Sequence, residues 1–198
     1  MPGTENKHIA YLGLGSNLKQ PAKQLRRAIE WLQRQQGIQV LNSSPWFHSA
    51  AWGVTEQPDF INAVVAIATT QPPLQLLKTI KRIEYRLMQR LPEKRWHARC
   101  IDIDILLYGT LRIHRPELKI PHPLITARCF VLHPLLFLCP DLPADLKKQV
   151  MAHLKQHDCQ SALQPLKPRM STDLINFRRR FVVFLQQNHD NFVFCGIF

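Results

Sequence analysis

The sequence predicts an α+β protein built on an antiparallel sheet, and three observations carry that reading. Strand-like and helix-like runs follow one another as β-α-β-β-α-β, the order of the ferredoxin-like arrangement with its helices packed on the sheet. One run, Ile101-Asp102-Ile103-Asp104-Ile105, alternates apolar and acidic residues, a period of two that marks a strand with two unlike faces. Two further runs, residues 21–35 and 73–87, repeat apolar residues at the spacing of a helix.

Each element has its own signal. Residues 8–13 (HIAYLG) begin as a strand and run into Gly13-Leu14-Gly15-Ser16-Asn17, where two glycines permit a tight turn or a close backbone approach. Leu25, Ala28, Ile29 and Leu32 form one stripe of the first helix, which Gly37 stops. Residues 38–48 read as a second strand, 49–59 as a loop rich in turn formers, and 60–69 (FINAVVAIAT) as a strong strand. Pro72 and Pro73 start a helix whose stripe is Leu76, Ile80, Ile83 and Leu87. From 88 to 98 the periodicity vanishes and charge rises, which predicts a loop. The Asp strand follows, then a turn at Gly109-Thr110 and a short strand to Ile113. Residues 116–123 are extended and irregular, and 124–138 form a largely buried helical or mixed segment interrupted at Pro134.

A chain of 198 residues, 45% of them hydrophobic, is long enough for one domain with an appendage and too apolar to be disordered. The longest apolar run, 129–139, is broken by His133 and Pro134 and falls short of a membrane span. The first eight residues lack the apolar core of a signal peptide, so a cytoplasmic protein is expected. Cysteines at 100, 129, 139, 159 and 195 are odd in number and form no C-x-x-C, which predicts free thiols in a reducing compartment. Cys129, His133 and Cys139 lie in an apolar segment and read as core rather than as metal ligands. The formal charge of +12 is uneven: residues 147–180 hold eight Lys/Arg against two acidic residues, and residues 81–99 hold seven against two. The second cluster leads into the carboxylate strand, so it suggests an anionic substrate with a metal more than a nucleic-acid duplex.

Asp102 and Asp104 point to the same side of their strand, roughly 6–7 Å apart. At an effective dielectric of about 20 they repel by roughly 2–3 kcal/mol. Two things would offset this: Arg95 and Arg99 just upstream, leaving a solvated strand face, or a divalent cation. Mg²⁺ takes one or two carboxylates together with water and substrate phosphates.

Three separated segments then agree. G-L-G-S-N at 13–17, Q-P-D-F-I-N at 57–62 and R-W-x-x-R-x-x-D-x-D-I at 95–105 resemble the 6-hydroxymethyl-7,8-dihydropterin pyrophosphokinases, and P-H-P-L-I-T-A-R-C-F at 121–130 matches the family's P-H-x(5)-R-x-F pattern. The resemblance runs collinearly over about residues 8–142. It implies a pterin pyrophosphokinase domain at 1–143 and an extension at 144–198 of no assigned role. It implies transfer of the β,γ-pyrophosphoryl group of ATP to a pterin alcohol in folate biosynthesis. By the same resemblance Asp102 and Asp104 would hold two Mg²⁺, and Arg95, Arg99, Arg128 and His122 would contact phosphate. Glu84 and Trp96 would line the nucleotide side. Phe60 and Phe130 would sandwich the pterin, Asn62 would read its amide edge, and Ser49 and Trp52 would add contacts. Gly15 and Asn17 would shape the site. The implied partners are small molecules, ATP and the hydroxymethylpterin, with a monomer acting apart from nucleic acid and membrane.

The chain departs from the family pattern in the loop before Arg95. Where a glycine and R-x-R are usual it has Met88-Gln89-Arg90-Leu91, and His97-Ala98 replaces a usual Gly-Pro. Ala50-Ala51 stands for a proline pair before Trp52. These departures leave a second reading, a paralogue that binds pterin or ATP but transfers slowly. A third, a ferredoxin-like RNA-binding module, fits the charge but lacks the aromatic signature such modules stack bases on.

Overall fold

The first strand of the chain becomes the middle of the sheet. In a computed structural model, describing residues 7–51, 53, 56–91, 97–139, 142–156, 159 and 163–166, β1 (His8–Ser16) pairs antiparallel with β4 (Phe60–Thr69) on one side and β5 (Asp102–Tyr108) on the other. The sheet order is β5-β1-β4-β3-β8, with β2 (Ile38–Ser43) also on β4. β3 (Phe47–Ser49) and β8 (Gln164–Pro165) are short edge pieces, and β6 (Ile113–His114) pairs with β7 (Lys119–Ile120) in a separate ribbon.

Alternation along the three long strands divides the apolar residues between two layers. Leu12 and Leu14 of β1, Ile61, Ala63, Val65 and Ile67 of β4, and Ile103 and Ile105 of β5 turn to one face. There they pack under α1 (Pro21–Gln33), through Leu25, Ala28 and Leu32, and under α2 (Pro73–Arg82), through Leu76 and Ile80. The second helix does not stop at Arg82 but widens into a single π-helical turn, Ile83–Leu87, that buries Ile83 and Glu84. On the opposite face Val64 and Leu106 meet α3 (Cys129–Leu138) and α4 (Ala144–Gln156) through Leu132, Leu135, Leu146 and Val150.

Several sequence expectations need correction. The strand expected over 38–48 is two strands, because Pro45 has no N–H to give to the ladder and the chain breaks at Ser44–Trp46. The segment expected to be interrupted at Pro134 instead runs through it as one helix. Val131, Leu132 and Leu135, all buried against the sheet, outweigh the one hydrogen bond the proline forgoes. The second face of the sheet is partly covered by α3 and α4, and only the remainder is a cleft. Cys129 and Cys159 form a disulfide rather than free thiols, while Cys100 is a buried thiol.

Met1–Leu166 forms one compact unit. Packed structure therefore continues past residue 143, where the family-like motifs end. α4 belongs to the second hydrophobic layer, with Leu146 4% exposed and Val150 fully buried. Among the described residues, no helix is long and apolar enough to cross a membrane.

Leu146→Ala should lower unfolding free energy by about 2–5 kcal/mol, the range for emptying a buried leucine site. Urea denaturation followed by circular dichroism checks this; a loss under about 0.5 kcal/mol would mean α4 is not part of the cooperative unit.

Candidate active site

The cleft has a floor of glycine. Gly15 on β1 lies opposite Asp102 on one neighbouring strand and Asn62 on the other, and Gly13 lies opposite Asp104 and Val64. Side chains at these two positions would stand where the flanking ones lean in. A Cβ on Gly15 would meet Asn62 Oδ1 at 3.0 Å, and one on Gly13 would meet Leu106 Cδ2 at 3.3 Å. Glycine here serves close approach: acid on one side, amide on the other, and room between.

At the acidic end, the two aspartates have different surroundings. Asp102 is bracketed by cations: Arg90 Nη1 donates to its Oδ1 at 2.7 Å and Arg99 Nη1 to its Oδ2 at 2.8 Å. Asp104 looks toward His122, whose Nε2 lies 3.9 Å from its Oδ2. Burial, and then the neighbouring Asp102 carboxylate, push the Asp104 carboxyl above its ordinary range, while His122 leads the cations that oppose the shift. Burial lowers the His122 imidazole, against the pull of Asp104. Its Nδ1 accepts the backbone N–H of Leu124 at 3.2 Å, so in the neutral ring Nε2 carries the proton and faces the cleft. Arg128 caps the start of α3 and lies over the Phe130 ring at 5.7 Å. The arrangement is a cluster of cations and carboxylates with one exposed edge, suited to an anionic ligand and a divalent cation.

Beneath the aspartates sits a third carboxylate. Glu84 has no exposed side-chain surface. Its Oε2 accepts from Lys81 Nζ at 2.6 Å, and its Oε1 accepts from Arg90 Nη1 at 2.6 Å and from the Ile103 backbone N–H at 2.9 Å. Burial pushes this carboxyl up, and Lys81 and Arg90 pull it back. Ile103 is the residue between the two aspartates, so Glu84 grips the strand at the point that sets their direction. Arg90 reaches both carboxylates because the chain reverses at Gln89, which takes a left-handed φ of 53°. The Arg90 N–H then closes the turn onto Glu84 O at 2.9 Å.

At the apolar end, Phe60 and Phe130 face the same cleft as Gly15, Asn62 and Ser49. Asn62 is 5% exposed, and its Nδ2 donates to Ser49 Oγ at 2.8 Å, which fixes the amide plane. Asn17 fastens the two ends together. Its side chain donates to Gln57 Oε1 at 3.1 Å and Pro58 O at 3.0 Å, and its Oδ1 accepts the Arg99 N–H at 2.7 Å.

The structure thus gathers Ser49, Phe60, Asn62, Arg99, Asp102, Asp104, His122, Arg128 and Phe130 around one cleft. Glu84 is not on its wall but buried behind the carboxylate strand. Trp52, Arg95 and Trp96 lie outside the described residues. Two contributors were harder to read. Arg90 stands one position out of register with the family pattern, and its ion pairs depend on a backbone reversal at Gln89 that no residue type announces. Ser44, whose Oγ accepts the Val64 N–H at 3.0 Å where β2 leaves the sheet, had no sequence signal at all.

A family model described as 7,8-dihydro-6-hydroxymethylpterin-pyrophosphokinase matches residues 11–140. The chain is 43% identical over 133 residues to the 2-amino-4-hydroxy-6-hydroxymethyldihydropteridine pyrophosphokinase of Methylorubrum extorquens, covering 67% of this chain and 84% of that one. It is 40% identical over 132 residues to the enzyme of the same name from Pseudomonas aeruginosa, covering 67% and 81%. The backbone is similar to that of wild-type Plasmodium falciparum HPPK-DHPS crystallised with pterin and p-hydroxybenzoate, with a TM-score of 0.60 at 16% identity. That match covers 81% of this chain and 46% of the other, so the chain spans about half the length of that protein and shares its fold.

Removing the charge of Glu84 should uncouple this network. Glu84→Gln leaves Arg90, 11% exposed, facing an uncharged amide, and loss of one member of a buried pair costs about 3–5 kcal/mol. Equilibrium urea unfolding measures it; a cost under about 1 kcal/mol would show that hydrogen bonding alone holds Arg90.

Proposed function

Because the chain belongs to the 7,8-dihydro-6-hydroxymethylpterin-pyrophosphokinase family, we propose that its cleft moves the β,γ-pyrophosphoryl group from ATP to 6-hydroxymethyl-7,8-dihydropterin through the residues described above. The protein is an ATP-dependent pyrophosphokinase of folate biosynthesis. The observation that best supports the site assignment is the row Asp102–Gly15–Asn62, which puts a carboxylate and an amide on either side of a bare backbone.

The flat pterin would lie between Phe60 and Phe130, where offset stacking adds about 0.5–1.5 kcal/mol beyond area burial. Asn62, already oriented by Ser49, would pair with the pterin's amide edge. That pose turns the hydroxymethyl group toward the aspartates. Its oxygen attacks the β-phosphorus in line; the new O–P bond forms as the bond from that phosphorus to the bridging oxygen breaks, AMP leaves with that oxygen, and the hydroxyl proton passes to solvent. Arg99 and Arg128 would hold phosphate oxygens by their planar forks, and the His122 Nε2–H would donate to another. Orientation of this kind and fixed charge are the main sources of rate for phosphoryl groups.

Asp102 and Asp104 fit Mg²⁺: hard oxygen donors on one strand face, with Asp104 bordered by a histidine rather than locked in an arginine pair. Two Mg²⁺ held there would neutralise the triphosphate and stabilise charge on the leaving oxygen. Asp102 would exchange its arginine partners for metal, and Arg99 would turn to phosphate. The strand order supports a ferredoxin-like description of the sheet, and small-molecule substrates fit a monomer of the cytoplasm.

The slow-paralogue reading keeps one observation in its favour. Leu91, where the family pattern carries arginine, is 67% exposed, and Arg90 stays held by the buried Glu84 even when Asp102 turns to metal. A charge-assisted hydrogen bond to phosphate is therefore missing, worth about 1.5–3 kcal/mol.

Asp102→Asn and Asp104→Asn should each lower single-turnover pyrophosphoryl transfer by orders of magnitude while pterin affinity, read by fluorescence, changes only a few-fold. Either variant turning over at the parental rate would remove the aspartates from the chemistry. Leu91→Arg should raise the single-turnover rate roughly ten- to a hundredfold with pterin affinity unchanged; an equal rate would mean Arg90 leaves its carboxylates to serve ATP.

A further inference from the structure

Away from the cleft, three soft donors from three parts of the chain converge. Cys129 opens α3, His153 stands near the end of α4, and Cys159 follows that helix. Their ligand atoms all lie within 4.8 Å of one another, with Cys129 Sγ and His153 Nε2 3.9 Å apart. Cys159 is 4% exposed, and the other two are partly buried. The two sulfurs are joined as a disulfide.

We propose that the chain with this disulfide reduced uses Cys129, His153 and Cys159 as a site for a thiophilic divalent cation, Zn²⁺ by its donor set, and that the ion takes over the tie between the C-terminal segment and the start of α3. The geometry suits the ion. A tetrahedral Zn²⁺ with Zn–S near 2.3 Å and Zn–N near 2.0 Å spaces its sulfurs about 3.8 Å apart and sulfur from nitrogen about 3.6 Å. The Cys129–His153 separation is already close to this, and reduction frees the sulfurs to part. Two thiolates and a neutral imidazole cancel the charge of a divalent ion, and thiolate prefers it over the Mg²⁺ of the cleft. The fourth position would fall to water.

The chemistry balances with a dithiol as reductant. Two electrons and two protons pass from the dithiol to the Cys129 and Cys159 sulfurs; the S–S bond between them breaks and the dithiol closes to its own disulfide. Binding of the cation then releases the two thiol protons to solvent. The tie matters to the cleft because Cys129 is flanked by Arg128 and Phe130, both on its wall. The same C-terminal segment also reaches β3, beside Ser49, through β8.

The test titrates the full-length chain with Co²⁺, a spectroscopic stand-in for Zn²⁺, after reduction by a phosphine and removal of excess reductant. The expected result is one Co²⁺ per chain with tetrahedral visible bands and a near-ultraviolet thiolate charge-transfer band, all lost on adding one equivalent of Zn²⁺. Re-oxidation with diamide should abolish the charge-transfer band in the unsubstituted chain, a comparison that needs no variant to fold. Cys159→Ser and His153→Ala should weaken binding at least tenfold, and Cys139→Ser should leave it unchanged. A reduced chain without the charge-transfer band overturns the proposal. So does equal binding by the oxidised chain, or a folded Cys159→Ser variant that binds as the parent does.

Discussion

Glu84 carries a negative charge into a place without solvent, and the three donors that meet it there set the geometry of the carboxylate strand. Lys81, Arg90 and the Ile103 backbone N–H converge on its two oxygens. Arg90, so held, extends to Asp102, and Arg99 closes on the same carboxylate from the other side. The repulsion expected between Asp102 and Asp104 is therefore handled unequally: one aspartate is neutralised by arginines, and the other keeps a raised affinity for protons beside a histidine. That asymmetry leaves a demand for positive charge at the edge of the cleft, which the metal-bound triphosphate proposed for it would satisfy.

The second constraint is steric. The central strand offers its neighbours two residues without side chains, and those neighbours place there the groups that make the site: Asp102 and Asp104 from β5, Asn62 from β4. Leucines occupy the alternate positions of the same strand and are fully or almost fully buried under the first two helices. One strand thus separates core from chemistry by its period of two. Asn17 at its end extends the arrangement by binding the chain before β4 and the chain before β5 at once, so the apolar and acidic halves of the cleft share an anchor.

The C-terminal segment bears on the cleft from outside the family-like motifs. α4 packs against α3 and the sheet through Leu146 and Val150, β8 extends the sheet at β3, and Cys159 binds Cys129 between two residues of the cleft wall. The free-thiol reading failed here because pairing depends on which cysteines the fold brings together, and thirty residues separate these two. An odd number of cysteines in the chain says nothing about that distance.

Local chemistry determined much of this protein from sequence alone. The Asp102–Asp104 alternation, the glycines of β1 and the apolar stripes of the first two helices rest on side-chain periods of two and about 3.6, which any chain of these residues must obey. Four ordered motifs were enough to point to pterin pyrophosphoryl transfer and to nine residues that do surround one cleft. Tertiary structure alone decided the rest. Arg90 reaches Asp102 only because Gln89 turns the chain back, Glu84 lies behind the strand rather than on the cleft wall, and Pro134 stays helical because the sheet holds its neighbours. Each of these depends on burial and on contacts between residues far apart in the chain, and no local pattern encodes a free energy that appears only when the layers close.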